Sequence, residues 1–314
     1  MVGYKMIANT LYFILALLLF MISLKLFSGN CKKVLPFDLQ GKIAGEKESI
    51  LRVSLIAMIL TAIVQSSSLV IVVVFSLVQS NIMSEKNGLA AVLGTEVGTT
   101  ATGQIISIPW GNILPFLLPL LLVLLLPKFR KLILTVFFLG MLILSLKLMT
   151  IPFSNLHTTS SYYKLINLVN QLPAIGVFVG AVFTAFVQSS SALTGLTISL
   201  GRAGVINLKS AIALVLGGNI GTCVTGLVAA TTVTKKARGI IIGQILFNVI
   251  GVILALMFLD LLTEFVEYVT ISPSIERQIA NAHTIFNLVS YGFIMVVFNP
   301  FYAITKKINN KILK

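Results

Sequence analysis

Long apolar stretches dominate this chain, and two of them are interrupted by the same four polar residues. Gln65-Ser66-Ser67-Ser68 and Gln188-Ser189-Ser190-Ser191 occupy near-identical settings, TAIVQSSS from Thr61 and TAFVQSSS from Thr184. The apolar runs 10–26, 132–149 and 240–258 predict helices. At about 1.5 Å per residue, such helices cross most or all of a hydrocarbon layer roughly 30 Å thick. About thirty residues surround each tetrad, 50–78 and 173–200, longer than one span and too short for two. That length predicts a re-entrant hairpin of two half-helices meeting at the tetrad. The alternative is one long tilted helix whose serines bond back to its own carbonyls. Further on, 89–108 and 208–230 carry GTEVGTTATG and GGNIGTCVTG at their centres. Paired glycines and β-branched threonines weaken a helix there, so both predict spans unwound at mid-membrane. A short run with two prolines at 112–126 and a last run at 279–301 complete the apolar pattern.

The two halves are copies. A shift of 123 residues aligns 61–104 with 184–227 without a gap, and 18 of those 44 positions are identical. Shifted by one residue, Ser23-Leu24-Lys25-Leu26 recurs as Ser145-Leu146-Lys147-Leu148, which brings the first span into the duplication. Each copy then holds an odd number of crossings, so the second enters the membrane from the opposite side. The expected fold class is all-α integral membrane, with two inverted-topology repeats and a final transmembrane helix. Each repeat has one re-entrant hairpin and one broken transmembrane helix. The expected divisions are 1–130, 131–262 and 263–314, the last carrying a basic cytoplasmic tail.

Composition agrees with this reading and removes others. The 314 residues are 57% hydrophobic and 10% charged, with mean hydropathy +1.03, outside the range of a soluble domain. The first apolar run lacks the small-residue cleavage pattern of a signal peptide, so it counts as a span. A formal net charge of +14 would suggest nucleic acid in a soluble protein, but here the basic residues lie between spans. Sixteen, among them Lys32, Lys86, Arg130, Lys235 and Lys306, fall on one side of the expected topology, and five, including Lys164 and Arg202, on the other. The positive-inside rule makes the richer side cytoplasmic, with the N-terminus outside and the C-terminus inside. Cys31, expected in a loop, and Cys223, inside a span, lie at different depths and predict no disulfide. No metal-ligand spacing, P-loop, redox motif or nucleophile–base pair is present.

Polar side chains in an apolar layer need partners within the protein, so two tetrads on opposed hairpins predict one polar site near the midplane. Serine hydroxyls, glutamine amides and helix N-termini can hold a small oxyanion. The same oxygens, with unpaired carbonyls, can coordinate Na⁺. Duplicated QSSS segments, each followed by G-x-N-I-G-T-like sequence, resemble the sodium-dependent phosphate cotransporter family, the type II Na/Pi group and its bacterial relatives. The match is fullest at Gln188 to Ala192 and Gly217 to Gly226, and it extends to Ile245-Leu246-Phe247-Asn248 and Ala282-His283-Thr284-Ile285-Phe286-Asn287. The resemblance implies symport of inorganic phosphate with Na⁺ by alternating access in a bacterial cytoplasmic membrane. It implies no enzymatic activity, no cofactor and no nucleic-acid partner. It also implies a short form, whose last span is followed only by the basic tail. A second copy of the chain is an open partner. Within that framework we assign phosphate to Gln65, Ser66, Ser67, Ser68, Ser189, Ser190 and Thr99. Sodium is assigned to Gln188, Ser191, Asn219, Thr222, Thr184 and Glu96.

This chain departs from the pattern twice. Glu96 stands where the second copy has Asn219, and it is the one acidic residue expected within the membrane. Its readings are a cation ligand, a proton carrier, or a neutral carboxyl holding the broken helix. The apolar run Leu69 to Val74 follows the first tetrad, where vertebrate relatives carry further serines. Lys25 and Lys147 are expected to snorkel to the headgroups. His283 is read as a packing or interfacial residue near the start of the last span, with gating or titration as the alternative; His157 is expected to lie outside the core, and Trp110 to mark an interfacial turn. Export, proton coupling, another oxyanion or a non-transporting scaffold are the competing functions.

Overall fold

The computed structural model describes residues 2–34, 49–109, 130–154, 160–230, 234–271 and 274–312, and among these every regular element is an α-helix. In chain order they are α1 Val2–Val34, α2 Ile50–Val64, α3 Ser67–Gln79, α4 Glu85–Ile106, α5 Arg130–Ser154, α6 Ser160–Gln171 and α7 Pro173–Val187. There follow α8 Ser190–Arg202, α9 Leu208–Ala230, α10 Lys235–Met257, α11 Leu259–Val269, α12 Ile275–Val296 and α13 Phe298–Ile312. Among the described residues, four segments are long and apolar enough to cross a membrane: Ile7–Cys31 in α1, Arg130–Pro152 in α5, and α10 and α12. α6 and α7 meet the same test together but bend by 117° between them. The expected run 112–126, Trp110 and His157 lie outside the described residues.

Helix starts follow local chemistry. Ser49, Ser84 and Ser274 accept the backbone N–H of Arg52, Asn87 and Arg277, closing the first turns of α2, α4 and α12. Pro173 opens α7, where its missing N–H removes no helical bond. Cys31 lies inside α1 and not in a loop. Gly29 and Asn30 do not end that helix, because Asn30 Nδ2 donates to the Lys131 carbonyl at 2.6 Å and to Thr135 Oγ1 at 2.8 Å, docking α1 on α5. The last span is also shifted from the expected 279–301, since α12 starts at Ile275 and the helix breaks at Val297 before α13.

α4 and α9 run unbroken through their glycine and threonine segments, which corrects the expectation of unwound spans. The glycines serve close packing. A Cβ on Gly94 would sit 2.1 Å from the Ser54 carbonyl oxygen, and one on Gly98 2.4 Å from that of Met58. The copied positions behave alike: Gly217 would meet the Val177 oxygen at 2.0 Å and Gly221 that of Ala181 at 2.5 Å. α2 therefore lies backbone against backbone on α4, and α7 on α9. The threonines spend their hydroxyls along their own helix. Thr95 donates to the Val92 carbonyl at 2.7 Å, Thr99 to that of Thr95 at 2.8 Å and Thr222 to that of Asn219 at 2.7 Å. α3 also reaches α4, with Val74 and Val78 beside Gly88.

Two apolar cores result. One joins Val53, Val74, Leu89 and Leu93 of α2 to α4 with Ile240 and Phe247 of α10 and Tyr291 of α12. The other joins Phe20 of α1 and Leu146 of α5 to Ala192 of α8, Leu214 of α9 and Phe286 of α12. α12 contributes to both, which brings the two sets of helices against one another. Because Gly217 has no room for a side chain, Gly217→Ala is expected to lower the unfolding free energy by about 1–3 kcal/mol. Thermal or denaturant unfolding in detergent checks this, and an unchanged midpoint would contradict the backbone-on-backbone contact.

Candidate functional site

Each tetrad begins by ending a helix. Gln65 and Gln188 close α2 and α7 in the left-handed region, at φ 57° and 58°, with their N–H groups 2.8 Å from the carbonyls of Thr61 and Thr184. A non-glycine residue in that region costs of order 1 kcal/mol. Both side chains fold back, Gln65 Nε2 onto the Ala62 carbonyl and Gln188 Nε2 onto that of Ala185. Thr102 Oγ1 then donates to Gln65 Oε1 at 2.8 Å. Ser66 and Ser189 turn extended and cap the next helices, accepting from Leu69 N at 3.4 Å and Ala192 N at 3.1 Å. The backbone N–H groups of Ser67, Ser68, Ser190 and Ser191 fall in first turns, where no helical carbonyl lies one turn back to receive them. Each tetrad thus presents the positive end of a helix.

Both breaks open on one cavity of about 190 Å³. All eight tetrad residues line it, with Glu96 and Thr99 from α4 and Asn219 and Thr222 from α9. Of the residues expected from sequence, Thr184 alone is not on its wall. It is fully buried one turn before the break, and its Oγ1 has no hydrogen-bond partner. Ile71, Val72 and Phe75 of α3, with Leu24 of α1, supply the apolar side of the cavity, so the run after the first tetrad is part of its wall.

Gln244 of α10 and His283 of α12 also line the cavity. His283 was expected to pack near a span end, yet it lies two turns into α12, 3% exposed, with Nε2 3.3 Å from Asn219 Oδ1. α12 begins at Ile275, earlier than the apolar pattern indicated, and that places His283 at the level of Asn219. Glu96 is buried, and its Oε1 receives Gln244 Nε2 at 2.6 Å. Neither Gln244 nor His283 falls within the aligned copies, so the duplication carried no sign of them. Thr102 was detectable, as one of the identities shared with the second copy.

Among the described residues, no lysine or arginine lines this cavity. An anion here rests on hydroxyls, amides and two helix N-termini, beside one carboxyl and one imidazole. No three His, Cys, Asp or Glu side chains among the described residues cluster as a metal site requires. A wider cavity of about 740 Å³ shares Gln65, Ser66, Gln188 and Ser189 with the first and adds Lys25 and Lys33 of α1. Lys25, expected only to snorkel, borders this second space and so places a cation at the approach to the tetrads.

Comparison with known proteins identifies the lineage. Residues 19–151 and 155–297 match the family model described as Na⁺/Pi-cotransporter. A protein of Bacillus subtilis (strain 168), "Uncharacterized protein YqeW", is 33% identical over 260 residues, covering 81% of this chain and 83% of that protein. "Putative inorganic phosphate export protein YjbB" of Escherichia coli (strain K12) is 26% identical over 252 residues, which is 79% of this chain and 46% of that longer protein. "Sodium-dependent phosphate transport protein 2A" of Ovis aries is 39% identical over 64 residues, 20% of this chain and 10% of that protein. No solved structure matches the chain.

The two serine roles are separable. Ser189→Ala removes an N-cap acceptor and is expected to lower the unfolding free energy by about 1 kcal/mol. Ser67→Ala, whose hydroxyl caps nothing, is expected to stay within about 0.5 kcal/mol of the native protein. Equal losses in denaturant unfolding would contradict the capping assignment.

Proposed function

The chain belongs to the Na⁺/Pi-cotransporter family, and from that premise we propose that it is a secondary active transporter coupling inorganic phosphate to Na⁺. It is a membrane protein, and in the proposed setting it sits in the cytoplasmic membrane of a bacterium with its N-terminus outside and its C-terminus inside. The observation that carries the reading is the convergence of both tetrads, with two helix N-termini, on one cavity. Phosphate is proposed to lie against Gln65, Ser66, Ser67, Ser68, Ser189, Ser190 and Thr99. Their hydroxyls and amides donate to its oxygens, and the dipoles of α3 and α8 offset its charge. Sodium is proposed to take neutral oxygens from Gln188, Ser191, Asn219, Thr222 and Thr184, together with Glu96. The buried, unpartnered Thr184 Oγ1 supports its place among them.

Alternating access is proposed to move two inverted repeats around this cavity. Contacts along α4 support a re-entrant hairpin: α2 passes Gly94 and then Gly98 on the way to the first tetrad, and α3 returns to Gly88. α7 follows the same course along Gly217 and Gly221. The wider cavity with Lys25 and Lys33 is the proposed approach route, where two cations draw an anion toward the tetrads.

Glu96 supports a second coupling mode in which a proton replaces one sodium, because it puts a titratable carboxyl on the wall where the second copy has an amide. The Escherichia coli relative is named for phosphate export, which makes outward flux the matching alternative in direction. Labelled-phosphate uptake into proteoliposomes separates these readings. An imposed sodium gradient is expected to drive uptake, Gln188→Ala to abolish it, and Glu96→Gln to change its pH or cation dependence. Uptake indifferent to sodium would refute sodium coupling, and unchanged sodium and pH profiles in Glu96→Gln would remove the carboxyl from the coupling site.

A further inference from the structure

Outside the duplicated block, α10 and α12 each carry a buried polar pair four residues apart, Gln244 with Asn248 and His283 with Asn287. They hold the same places in two similar segments, Gln244-Ile-Leu-Phe-Asn248 and His283-Thr-Ile-Phe-Asn287. A spacing of four puts both members of a pair on one helix face. Each pair grips one of the two equivalent positions of the duplication. Gln244 Nε2 donates to Glu96 Oε1 at 2.6 Å, and Asn248, one turn on, donates its Nδ2 to the Cys223 sulfur at 3.6 Å. Asn219 Nδ2 donates to Asn287 Oδ1 at 3.0 Å, while Asn219 Oδ1 lies 3.3 Å from His283 Nε2.

The second grip has a fixed direction. Asn287 Nδ2 donates to the His283 backbone carbonyl at 3.0 Å, and a carbonyl can only accept. Asn287 Oδ1 therefore faces Asn219 Nδ2, which turns Asn219 Oδ1 toward the imidazole. That oxygen needs a donor, so His283 carries its proton at Nε2. Gln244 and His283 thus do the same thing at the two equivalent positions: each donates one N–H to the oxygen of the side chain it holds.

We propose that Gln244 and His283 are positioning residues that hold the oxygen-bearing ends of Glu96 and Asn219 on the cavity wall and so set which cation the cavity prefers. The inference deepens the transport reading and rests on it. The titratable groups meeting this network are Glu96 from α4, His283 on α12 itself and Cys223 from α9, whose sulfur accepts from Asn248 Nδ2 at 3.6 Å. The two grips differ in one respect: the first pairs an amide with a carboxyl, the second an imidazole with an amide. Exchanging them is therefore the sharpest test.

The full chain in lipid vesicles provides two readouts on the same samples, sodium-dependent phosphate uptake and the sodium dependence of the thermal midpoint. Gln244→Leu is expected to raise the half-maximal sodium concentration about tenfold, the scale of one hydrogen bond to a charged group. The double variant Glu96→Asn with Gln244→His rebuilds in the first half the pair found in the second. It is expected to recover sodium dependence beyond either single variant. Should Gln244→Leu not fold, Gln244→Asn keeps the amide at shorter reach and is expected to show a smaller shift of the same sign. Variants that lose yield or thermal stability while keeping the native sodium dependence would overturn the proposal. So would a double variant no better than the poorer single one. A native protein that takes up no phosphate would instead refute the transport reading, and the sodium-dependent midpoint would still decide whether Gln244 governs cation binding.

Discussion

Lipid offers no hydrogen-bond partners, so a polar atom buried among these helices is costly unless another part of the same chain or a bound ion answers it. The arrangement around the tetrads follows from that constraint. Ending two helices inside the protein frees carbonyls at α2 and α7 and N–H groups at α3 and α8. Gln65 and Gln188 answer part of the first set by folding their amides back onto Ala62 and Ala185, and Ser66 and Ser189 answer part of the second as caps. What remains, the leading N–H groups and the hydroxyls beside them, faces a single cavity. The polar lining of that cavity is thus what remains once the two broken helices have answered part of their own ends locally.

Glycine packing makes that convergence possible. Gly94 and Gly98 let α2 lie on α4, and Gly217 and Gly221 let α7 lie on α9, at distances where any side chain would collide with a carbonyl oxygen. Two apolar cores then form, and α12 belongs to both. Its face carries His283 and Asn287 to Asn219, while neighbouring α10 carries Gln244 to Glu96. Packing and chemistry are linked here, because the helices that join the cores are also the ones that hold the cavity's most polar side chains.

The tetrads, their helix breaks and most of the cavity wall were legible in the sequence. Four adjacent polar residues inside an apolar run have few structural uses, and their duplication gave each copy a check on the other. The glycine segments misled, since glycine and threonine lower helix propensity in isolation, whereas here close packing and back-bonded hydroxyls outweigh propensity. Cys31 was misplaced for a related reason: Asn30 looks like a helix end until its amide finds Lys131 and Thr135 across the helix pair. His283 stood in a segment that carried the family resemblance, but its partner and that of Gln244 lie 64 and 148 residues away, a distance over which neither periodicity nor composition carries information.

The copies match in backbone and differ in side-chain chemistry. Glu96 against Asn219, and Gln244 against His283, make the cavity chemically one-sided although its scaffold is duplicated. All of this depends on both tetrads facing the same space. The most direct measurement places Ser66→Cys and Ser189→Cys together in a background carrying Cys31→Ala and Cys223→Ala, in lipid vesicles, and treats the protein with a short bifunctional thiol reagent. Tetrads that share one cavity predict an intramolecular cross-link that forms readily and is slowed by phosphate with sodium. Two thiols that each react with the reagent yet never join within one chain would contradict that shared cavity.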